Sequence, residues 1–196
     1  PGSAMHLHQS IVEAVSGENL FSDNDGEYSE QLYAYLGGLQ KYTPHVMAFL
    51  APYVNSYRRF EDAESCPTNT QWGIDNRTTG FRIPRSNADS TRIENRIPGS
   101  DTNSYLAIAA SLACGYLGIQ EGLRPSKPIT ESAWDLERTL PRSLHESLEL
   151  LLQCEPIIDL LGERFVNVFV NLKARELSEF SSTVTAWERQ HLLLTV

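Results

Sequence analysis

The sequence predicts a mixed α/β fold, in which short strands are followed by helices that pack against them. Alternating residue types at 6–12 and at 92–97 indicate strands, because successive side chains of a strand point to opposite faces. Apolar residues at helical spacing over 30–49, and an Ala- and Gly-rich stretch over 104–123, indicate helices. Strands followed by helices in this order are typical of a layered α/β domain and not of a helical bundle.

The first half of the chain is predicted to alternate between these elements and polar loops. A loop rich in Gly, Asn, Asp and Ser spans 16–28. The helix that follows is expected to be interrupted at Gly37 and Gly38 and to stop near Pro52. The stretch 55–90 is rich in Asn, Thr and Arg and is predicted to hold strands and loops.

The second half is predicted to be mainly helical. After a loop punctuated by prolines over 124–142, Ser143 and Glu146 have the spacing of a capping box that opens a helix to about Gln153. A last helix is predicted over 162–185, with four apolar side chains on one side. These four are Phe165, Val168, Phe169 and Leu172.

Composition is consistent with one globular domain. The 196 residues contain 41% hydrophobic side chains, which is enough for a core, and no apolar run approaches the ~18 residues of a membrane span. A net charge of −9 argues against a nucleic-acid partner, because such proteins present a basic face. Cys66, Cys114 and Cys154 are few, odd in number and widely spaced, which is typical of reduced thiols in a cytoplasmic protein.

Arginine is concentrated in one part of the chain. Seven of the 16 Lys and Arg residues lie between Arg58 and Arg96, and all seven are Arg. Guanidinium groups bind phosphates and carboxylates in a bidentate manner. An acidic protein with such a local cluster is suited to holding small anions.

Two short segments place ligand-capable side chains at alternate positions. On extended strands His6 and His8 share a face, as do Arg92, Glu94 and Arg96. An imidazole and a carboxylate suit a divalent cation, and the guanidinium groups suit the phosphates that such a cation accompanies. The two segments therefore predict a metal–nucleotide site, although each taken alone also fits ordinary strand histidines or a surface charge ladder.

The start of the chain admits two interpretations. Position 1 is Pro and the first Met is Met5, so residues 2–5 fit a cloning scar. They also fit a chain that begins inside a longer protein, and the motifs that follow favour this second interpretation.

Five ordered motifs resemble those of the glutamine synthetase family. Residues 2–10, Gly-Ser-Ala-Met-His-Leu-His-Gln-Ser, resemble that family's Gly-Ser-Gly-Met-His-x-His segment. The later motifs, in the family's order and nearly with its spacing, are Asn55-Ser56-Tyr57-Arg58-Arg59, Asn76-Arg77 with Arg82-Ile83-Pro84, Arg92-Ile93-Glu94-Asn95-Arg96 with Pro98, and Asn103-Ser104-Tyr105-Leu106. The resemblance covers essentially all of residues 1–196 and implies the C-terminal portion of a catalytic domain, with an antiparallel-rich sheet backed by helices. It also implies that the family's N-terminal β-domain and the first part of the catalytic domain are absent from this chain.

The resemblance implies roles for particular residues. His6 and Glu94 are implied to hold one divalent cation, Mg²⁺ or Mn²⁺. The residues implied to contact ATP are His8, Gln9, Ser10, Arg77, Arg82 and Arg92. The residues implied to hold L-glutamate are Gly2, Arg59, Arg77 and Arg96, and those implied to act in catalysis are Arg77, Arg96 and Ser65. This set suits phosphoryl transfer, which depends mostly on positioning and on neutralising charge.

The implied reaction is the ATP-dependent formation of γ-glutamyl phosphate from L-glutamate, followed by attack of an amine to give an amide. Members of the family are rings of subunits with active sites between neighbours. The resemblance therefore implies a homo-oligomer, a hexamer or a dodecamer, and residues 1–196 alone are expected to be inactive.

One departure from the family's pattern concerns the amine. Ammonia-using members carry a Glu in a Pro-Gly-x-Glu-x-Pro flap, and the matching position here is Ser65, with Glu64 one residue earlier. A small uncharged side chain there favours an organic mono- or polyamine such as putrescine, whose carbons gain by burial. The alternatives are an ammonia-using enzyme in which Glu64 takes that role, or an inactive structural or nitrogen-sensing relative. Retention of His6, Glu94 and the motif arginines counts against the inactive relative.

Overall fold

A computed structural model describes residues 3–23, 25–61 and 66–194 of the chain. It confirms the mixed α/β fold, since a small sheet is backed by helices. The strands are β1 (Leu7–Gln9), β2 (Trp72–Ile74), β3 (Phe81–Ile83) and β4 (Ile93–Asn95). The helices are α1 (Glu30–Leu50), α2 (Ser104–Gln120), α3 (Leu144–Leu152), α4 (Glu155–Leu161), α5 (Glu163–Ser181) and α6 (Ala186–His191).

The sheet has the strand order β1-β4-β3-β2. β4 pairs antiparallel with both β1 and β3, whereas β2 and β3 are parallel. Glu94 of β4 is directly opposite His8 of β1 on one side and Arg82 of β3 on the other. Because side chains directly opposite one another in an antiparallel pair share a face, these three side chains project to the same side of the sheet.

The opposite face of the sheet packs on α1 and α2. Gln9 donates from Nε2 to the hydroxyl of Tyr35 on α1 at 3.0 Å and accepts from the hydroxyl of Ser111 on α2 at 2.7 Å. Asn95 of β4 also donates to the Ser111 hydroxyl, at 3.1 Å. These polar contacts tie β1 and β4 to both helices beside an otherwise apolar core.

Helix α1 is continuous from Glu30 to Leu50, so the predicted interruption at Gly37 and Gly38 is wrong. The glycines serve close packing of α1 against α2. A Cβ at Gly38 would collide with the carbonyl oxygen of Cys114, and one at Gly118 would collide with that of Ala34. Tertiary packing therefore outweighs the low helix propensity of glycine at this crossing.

We expect Gly38→Ala to lower the free energy of unfolding by at least about 2 kcal/mol, because the added methyl group meets backbone atoms that cannot rotate away. Thermal and urea denaturation would measure the change. Ala109→Ser, on the exposed side of α2, is the control and should stay within about 0.5 kcal/mol of the wild type. Equal stability of Gly38→Ala and the wild type would contradict the close helix crossing.

The stretch 55–90 differs in part from its prediction. Val54–Phe60 is a 3₁₀ helix, and the strands within the stretch are only the short β2 and β3. The N-cap at Ser143 is confirmed, since its side chain accepts from the backbone N–H of Glu146. The Glu146 carboxylate in turn accepts from the backbone N–H of Arg142, one residue before the cap.

The C-terminal helices differ more from their prediction than the stretch 55–90 does. Sequence patterning missed α4, whose first turn contains a proline, a residue that suits the start of a helix. Helix α5 is present, but the predicted apolar side is only partly correct. Phe165 and Phe169 contact the ring of Phe49, whereas Val168 and Leu172 are exposed. The buried side of α5 is rotated from the predicted one and is formed by Val166, Phe169, Val170 and Lys173.

The three cysteines are buried free thiols, as expected for reduced residues. Burial raises the pKa of Cys66 to about 11, so this thiol stays protonated at neutral pH. Within the described ranges, none of the helices is both long enough and apolar enough to cross a membrane.

Candidate active site

A buried carboxylate, Glu94, lies at the centre of a cluster of basic side chains on the face of the sheet away from α1 and α2. Its Oε1 atom is 2.9 Å from His6 Nδ1 and 3.1 Å from Arg96 Nη1. Its Oε2 atom accepts from Arg82 Nη1 at 2.7 Å, and His8 Nε2 is 4.0 Å from Oε1. Only 5% of the Glu94 side chain is exposed. The alternating side chains of two distant segments therefore meet at the Glu94 carboxylate.

Strand register produces this convergence. His8 and Glu94 are paired across β1 and β4, and Arg82 and Glu94 across β3 and β4. Arg92 extends the cluster by donating from Nε to His8 Nδ1 at 3.2 Å. As the alternate spacing predicted, side chains from 6, 8, 92, 94 and 96 meet on one face of the sheet.

The charges of the cluster fix the protonation of its two metal-ligand candidates. Burial alone would raise the pKa of Glu94, but Arg82, Arg96 and His6 outweigh it and hold that pKa below its usual value. Burial, with the nearby Arg96, lowers the pKa of His6, although Glu94 opposes this. At neutral pH Glu94 is therefore an anion and His6 a neutral imidazole, which are the forms that bind cations.

The donors fit a divalent cation as part of a metal site. Two ligands of one cation, with bonds near 2.1 Å at right angles, lie about 3 Å apart, and His6 Nδ1 is 2.9 Å from Glu94 Oε1. Across residues 3–23, 25–61 and 66–194, no group of three or more His, Cys, Asp or Glu side chains could hold a metal. A cation at His6 and Glu94 would need further ligands beyond these two.

Two buried N–H groups beside Glu94 have no hydrogen-bond partner among the described residues. They are Arg82 Nε and Arg96 Nε. A buried donor without a partner costs roughly 1–3 kcal/mol, more when the group is charged. Both guanidinium groups therefore retain unused capacity for an anion, which agrees with a phosphate- or carboxylate-binding site.

Comparison with known protein families identifies the family of the chain that carries this cluster. The family model described as "Glutamine synthetase, catalytic domain" matches residues 1–192 of the chain. The chain belongs to the glutamine synthetase family.

Individual relatives extend this match. "Type-1 glutamine synthetase 2" of Dictyostelium discoideum is 38% identical, over 98% of this chain and 38% of the relative. "Gamma-glutamylputrescine synthetase PuuA" of Escherichia coli (strain K12) is 39% identical, over 98% of this chain and 41% of the relative. The solved structure titled "Apo GmaS without ligand" has a TM-score of 0.86 and 32% identity, covering 98% of this chain and 45% of that one. The chain thus spans less than half the length of these three relatives.

One further glutamine synthetase motif lies near the cluster. Arg59 donates from Nη2 to the carbonyl of Ile97, the residue after Arg96, and from Nη1 to Cys66 Sγ at 3.1 Å. Its guanidinium carbon is 4.5 Å from the ring centroid of Phe60. Arg59 is thereby held beside the end of β4, next to Arg96.

Gln9 does not join the cluster, although the glutamine synthetase motif implied that it contacts ATP. Strand alternation turns its side chain to the face opposite that of His8, where its amide bonds with Tyr35 and Ser111. The implied contact of Gln9 with ATP stays a prediction, and its side chain lies on the face opposite the cluster. Its observed contacts position β1 against the helices.

The other glutamine synthetase site residues have few contacts or lie outside the described part. Ser10 and Arg77 are exposed, and neither side chain hydrogen-bonds or pairs with another described residue. Gly2, Glu64 and Ser65, which the motifs implied for glutamate binding and for the amine, lie outside the described residues.

Asp75 is a member of the site that sequence reasoning missed. It directly follows β2, and its Oδ1 atom accepts from Arg82 Nη2 at 2.8 Å and from the backbone N–H of Arg85 at 3.2 Å. Its position next to the Asn76-Arg77 motif, within the arginine-rich part of the chain, was the available signal.

Proposed function

We propose that the protein carrying these residues is an ATP-dependent ligase that joins the γ-carboxyl group of L-glutamate to an amine through γ-glutamyl phosphate. The carrying observation is the contact of Glu94 with His6, Arg82 and Arg96, together with the unpartnered N–H groups of the two arginines. Catalysis of phosphoryl transfer is mostly positioning and charge neutralisation. A buried carboxylate for a cation, surrounded by fixed arginines for anions, supplies both.

His6 and Glu94 are the residues that would hold Mg²⁺ or Mn²⁺. When bound, the cation supplies positive charge against the phosphates of ATP. The chain's own part is to present a neutral imidazole and an ionised carboxylate with their donor atoms already 2.9 Å apart.

The arginines divide between the nucleotide and the amino acid. Arg82, which bonds Glu94, and Arg92, which bonds His8, are assigned to the phosphates of ATP. His8 and Ser10 are assigned to positions against the nucleotide. Arg77 is free to reach the transferred phosphoryl group, because it is exposed and unpaired within the described residues.

L-Glutamate is assigned to Arg59 and Arg96. The Arg96 side chain is only 10% exposed and its Nε N–H has no partner among the described residues, which suits contact with a carboxylate. Arg59 keeps its guanidinium fixed by Ile97 and Cys66, so little entropy is lost when a substrate carboxylate arrives.

For the amine, we propose an organic mono- or polyamine, supported by Ser65 at the flap position and by a relative named γ-glutamylputrescine synthetase. Ammonia is the second candidate, supported by Glu64 and by the relative named glutamine synthetase. The inactive relative is disfavoured because the cluster around Glu94 keeps all of its charged members.

A panel of amines tests this choice. With ATP, Mg²⁺ and L-glutamate, the complete protein should release phosphate with putrescine or a monoamine at a kcat/KM at least about 10-fold above that with ammonium. This ratio corresponds to about 1.4 kcal/mol of differential transition-state binding. Ser65→Glu should shift the ratio toward ammonium, whereas Ser100→Glu, an exposed control, should not. Ammonium used as well as every amine would mean that Glu64 takes the carboxylate's role and that the amine assignment is wrong.

We also propose that residues 1–196 form the C-terminal portion of a catalytic domain in a cytoplasmic homo-oligomer, a hexamer or a dodecamer, with active sites between subunits. Two observations support this. No group of three or more His, Cys, Asp or Glu side chains within the described ranges could hold a metal, so a cation at His6 and Glu94 would take further ligands from elsewhere. The outer side of α2 also exposes a row of large apolar side chains at helical spacing, which suits further packing. This row consists of Tyr105, Ile108, Leu112 and Tyr116.

A further inference from the structure

Asp75 forms a second anionic contact for an arginine that already binds Glu94. The two Nη atoms of Arg82 are divided between the two carboxylates, with Nη1 on Glu94 at 2.7 Å and Nη2 on Asp75 at 2.8 Å. The third nitrogen, Nε, is buried and has no partner among the described residues. Arg82 is therefore held at both Nη atoms of its guanidinium group, and the Nε N–H is available for a ligand.

The backbone at Asp75 indicates that the carboxylate itself is needed. Asp75 has a φ of 50°, in the left-handed region, and is the single described non-glycine residue with a positive φ. Glycine adopts this conformation without steric cost and asparagine adopts it readily. Because both would suit the turn at least as well, the backbone alone does not account for an aspartate.

The contact with Glu94 has a consequence for cation binding. While Arg82 occupies Oε2 of Glu94, and Arg96 and His6 lie against Oε1, both oxygens are engaged by hydrogen-bond donors. A cation at Glu94 must replace at least one of these contacts. If Arg82 is displaced from Glu94, its side chain is expected to turn toward solvent unless a second anion holds it at the sheet.

We propose that Asp75 is a positioning residue that keeps Arg82 at the site when Glu94 takes up a cation, so that Arg82 meets a phosphate group of the nucleotide. The inference rests on the proposed function. Asp75 anchors Nη2, which leaves Nη1 and the unpartnered Nε to turn from Glu94 toward the phosphate. The Arg85 backbone N–H, 3.2 Å from the same Asp75 oxygen, fixes the carboxylate in this orientation.

Nucleotide binding, measured apart from turnover, tests the role of Asp75. In the complete protein, calorimetry would measure the Kd of the ATP analogue AMP-PNP in the presence of Mg²⁺ for Asp75→Asn and Asp75→Gly. Because a charge-assisted contact to a partly exposed arginine is lost, we expect the Kd to rise about 5- to 20-fold in both variants. Asp89→Asn, an exposed aspartate of the 3₁₀ helix Ala88–Ser90, is the matched control and should bind like the wild type.

Thermal denaturation separates positioning from a structural role. Since glycine and asparagine accept a positive φ, we expect the Tm of both Asp75 variants to stay within about 2 °C of the wild type. A Tm that falls by much more, in step with the loss of binding, would make Asp75 a structural residue and overturn the proposal.

A double-mutant cycle tests whether Asp75 acts through Arg82. Arg82→Gln alone should weaken AMP-PNP binding at least as much as Asp75→Asn does. Adding Asp75→Asn to Arg82→Gln should then change the Kd by less than about 2-fold, because the anchored group is already gone. A full additional loss would show that Asp75 acts independently of Arg82 and would overturn the proposal.

The remaining outcomes also decide the matter. Suppose that the wild type forms γ-glutamyl amides and both Asp75 variants bind AMP-PNP with the wild-type Kd. This result would overturn the role of Asp75 and leave the proposed function intact. A wild type that neither binds AMP-PNP with Mg²⁺ nor releases phosphate from ATP with L-glutamate and amines would overturn the proposed function, and this inference with it.

Discussion

Replacement of Glu94 by Gln is expected to lower kcat/KM by about 10³-fold or more, because it removes the proposed anionic ligand of the cation and the negative charge at the centre of the cluster. The same change should lower the free energy of unfolding by about 3 kcal/mol. Arg82 and Arg96 have only 15% and 10% of their side chains exposed and would lose their buried anionic partner. An amide oxygen still accepts a hydrogen bond but does not neutralise two guanidinium groups.

Phosphate release and thermal denaturation of the complete protein measure the two effects of Glu94→Gln. Glu18→Gln, in the exposed loop that follows β1, is the control and should change neither. Reduced stability with wild-type turnover would mean that the cluster is a structural charge ladder and would contradict the assignment of Glu94 as a cation ligand.

Replacement of Arg77 by Ala is expected to lower kcat by about 10³-fold, the scale on which an arginine that meets the transferred phosphoryl group contributes. In contrast to Glu94→Gln, this change should leave the Tm unaltered. Arg77 is exposed, and within the described ranges its side chain has no hydrogen bond or ion pair to lose. Arg77→Lys keeps the charge but not the bidentate geometry, so we expect only partial recovery.

Steady-state kinetics with ATP and L-glutamate varied in turn would show whether Arg77→Ala acts on kcat or on KM. Arg164→Ala, an exposed arginine at the start of α5, is the matched control. An Arg77→Ala variant with unchanged kcat would contradict the role of Arg77 and revive the hypothesis of a relative that does not catalyse the reaction.

Local periodicity was sufficient to predict the face on which the candidate site lies. The alternation of His6 with His8, and of Glu94 with its flanking arginines, is a property of each strand alone, and it survives whatever the strands pack against. The same rule, applied to Gln9, places that residue on the opposite face, as observed. The motif had assigned Gln9 to ATP by its neighbours along the chain and not by its face.

Features that depend on contacts between distant segments could not be predicted. The continuity of α1 through Gly37 and Gly38 requires α2 to lie against it, and no local pattern specifies that crossing. Likewise, Asp75 meets Arg82 because β2 and β3 pair in a parallel register. Register between strands is set by the assembled sheet. The sequence alone therefore did not predict that the Asp75 carboxylate would contact Arg82.

The edge position of strand β1 has a consequence for how the candidate site comes apart on heating. It is three residues long and, within the described residues, pairs with β4 alone, so it forms an edge of the sheet. Edge segments with few backbone hydrogen bonds open at a lower free energy than the core does. Local detachment of β1 would carry His6 and His8 away from Glu94 while α1 and α2 remain packed. The bonds of Gln9 to Tyr35 and Ser111 oppose this detachment, together with the packing of Met5 and Leu7 on the core. We therefore expect the contacts of His6 and His8 with Glu94 to be lost at a temperature below that at which the helices unfold.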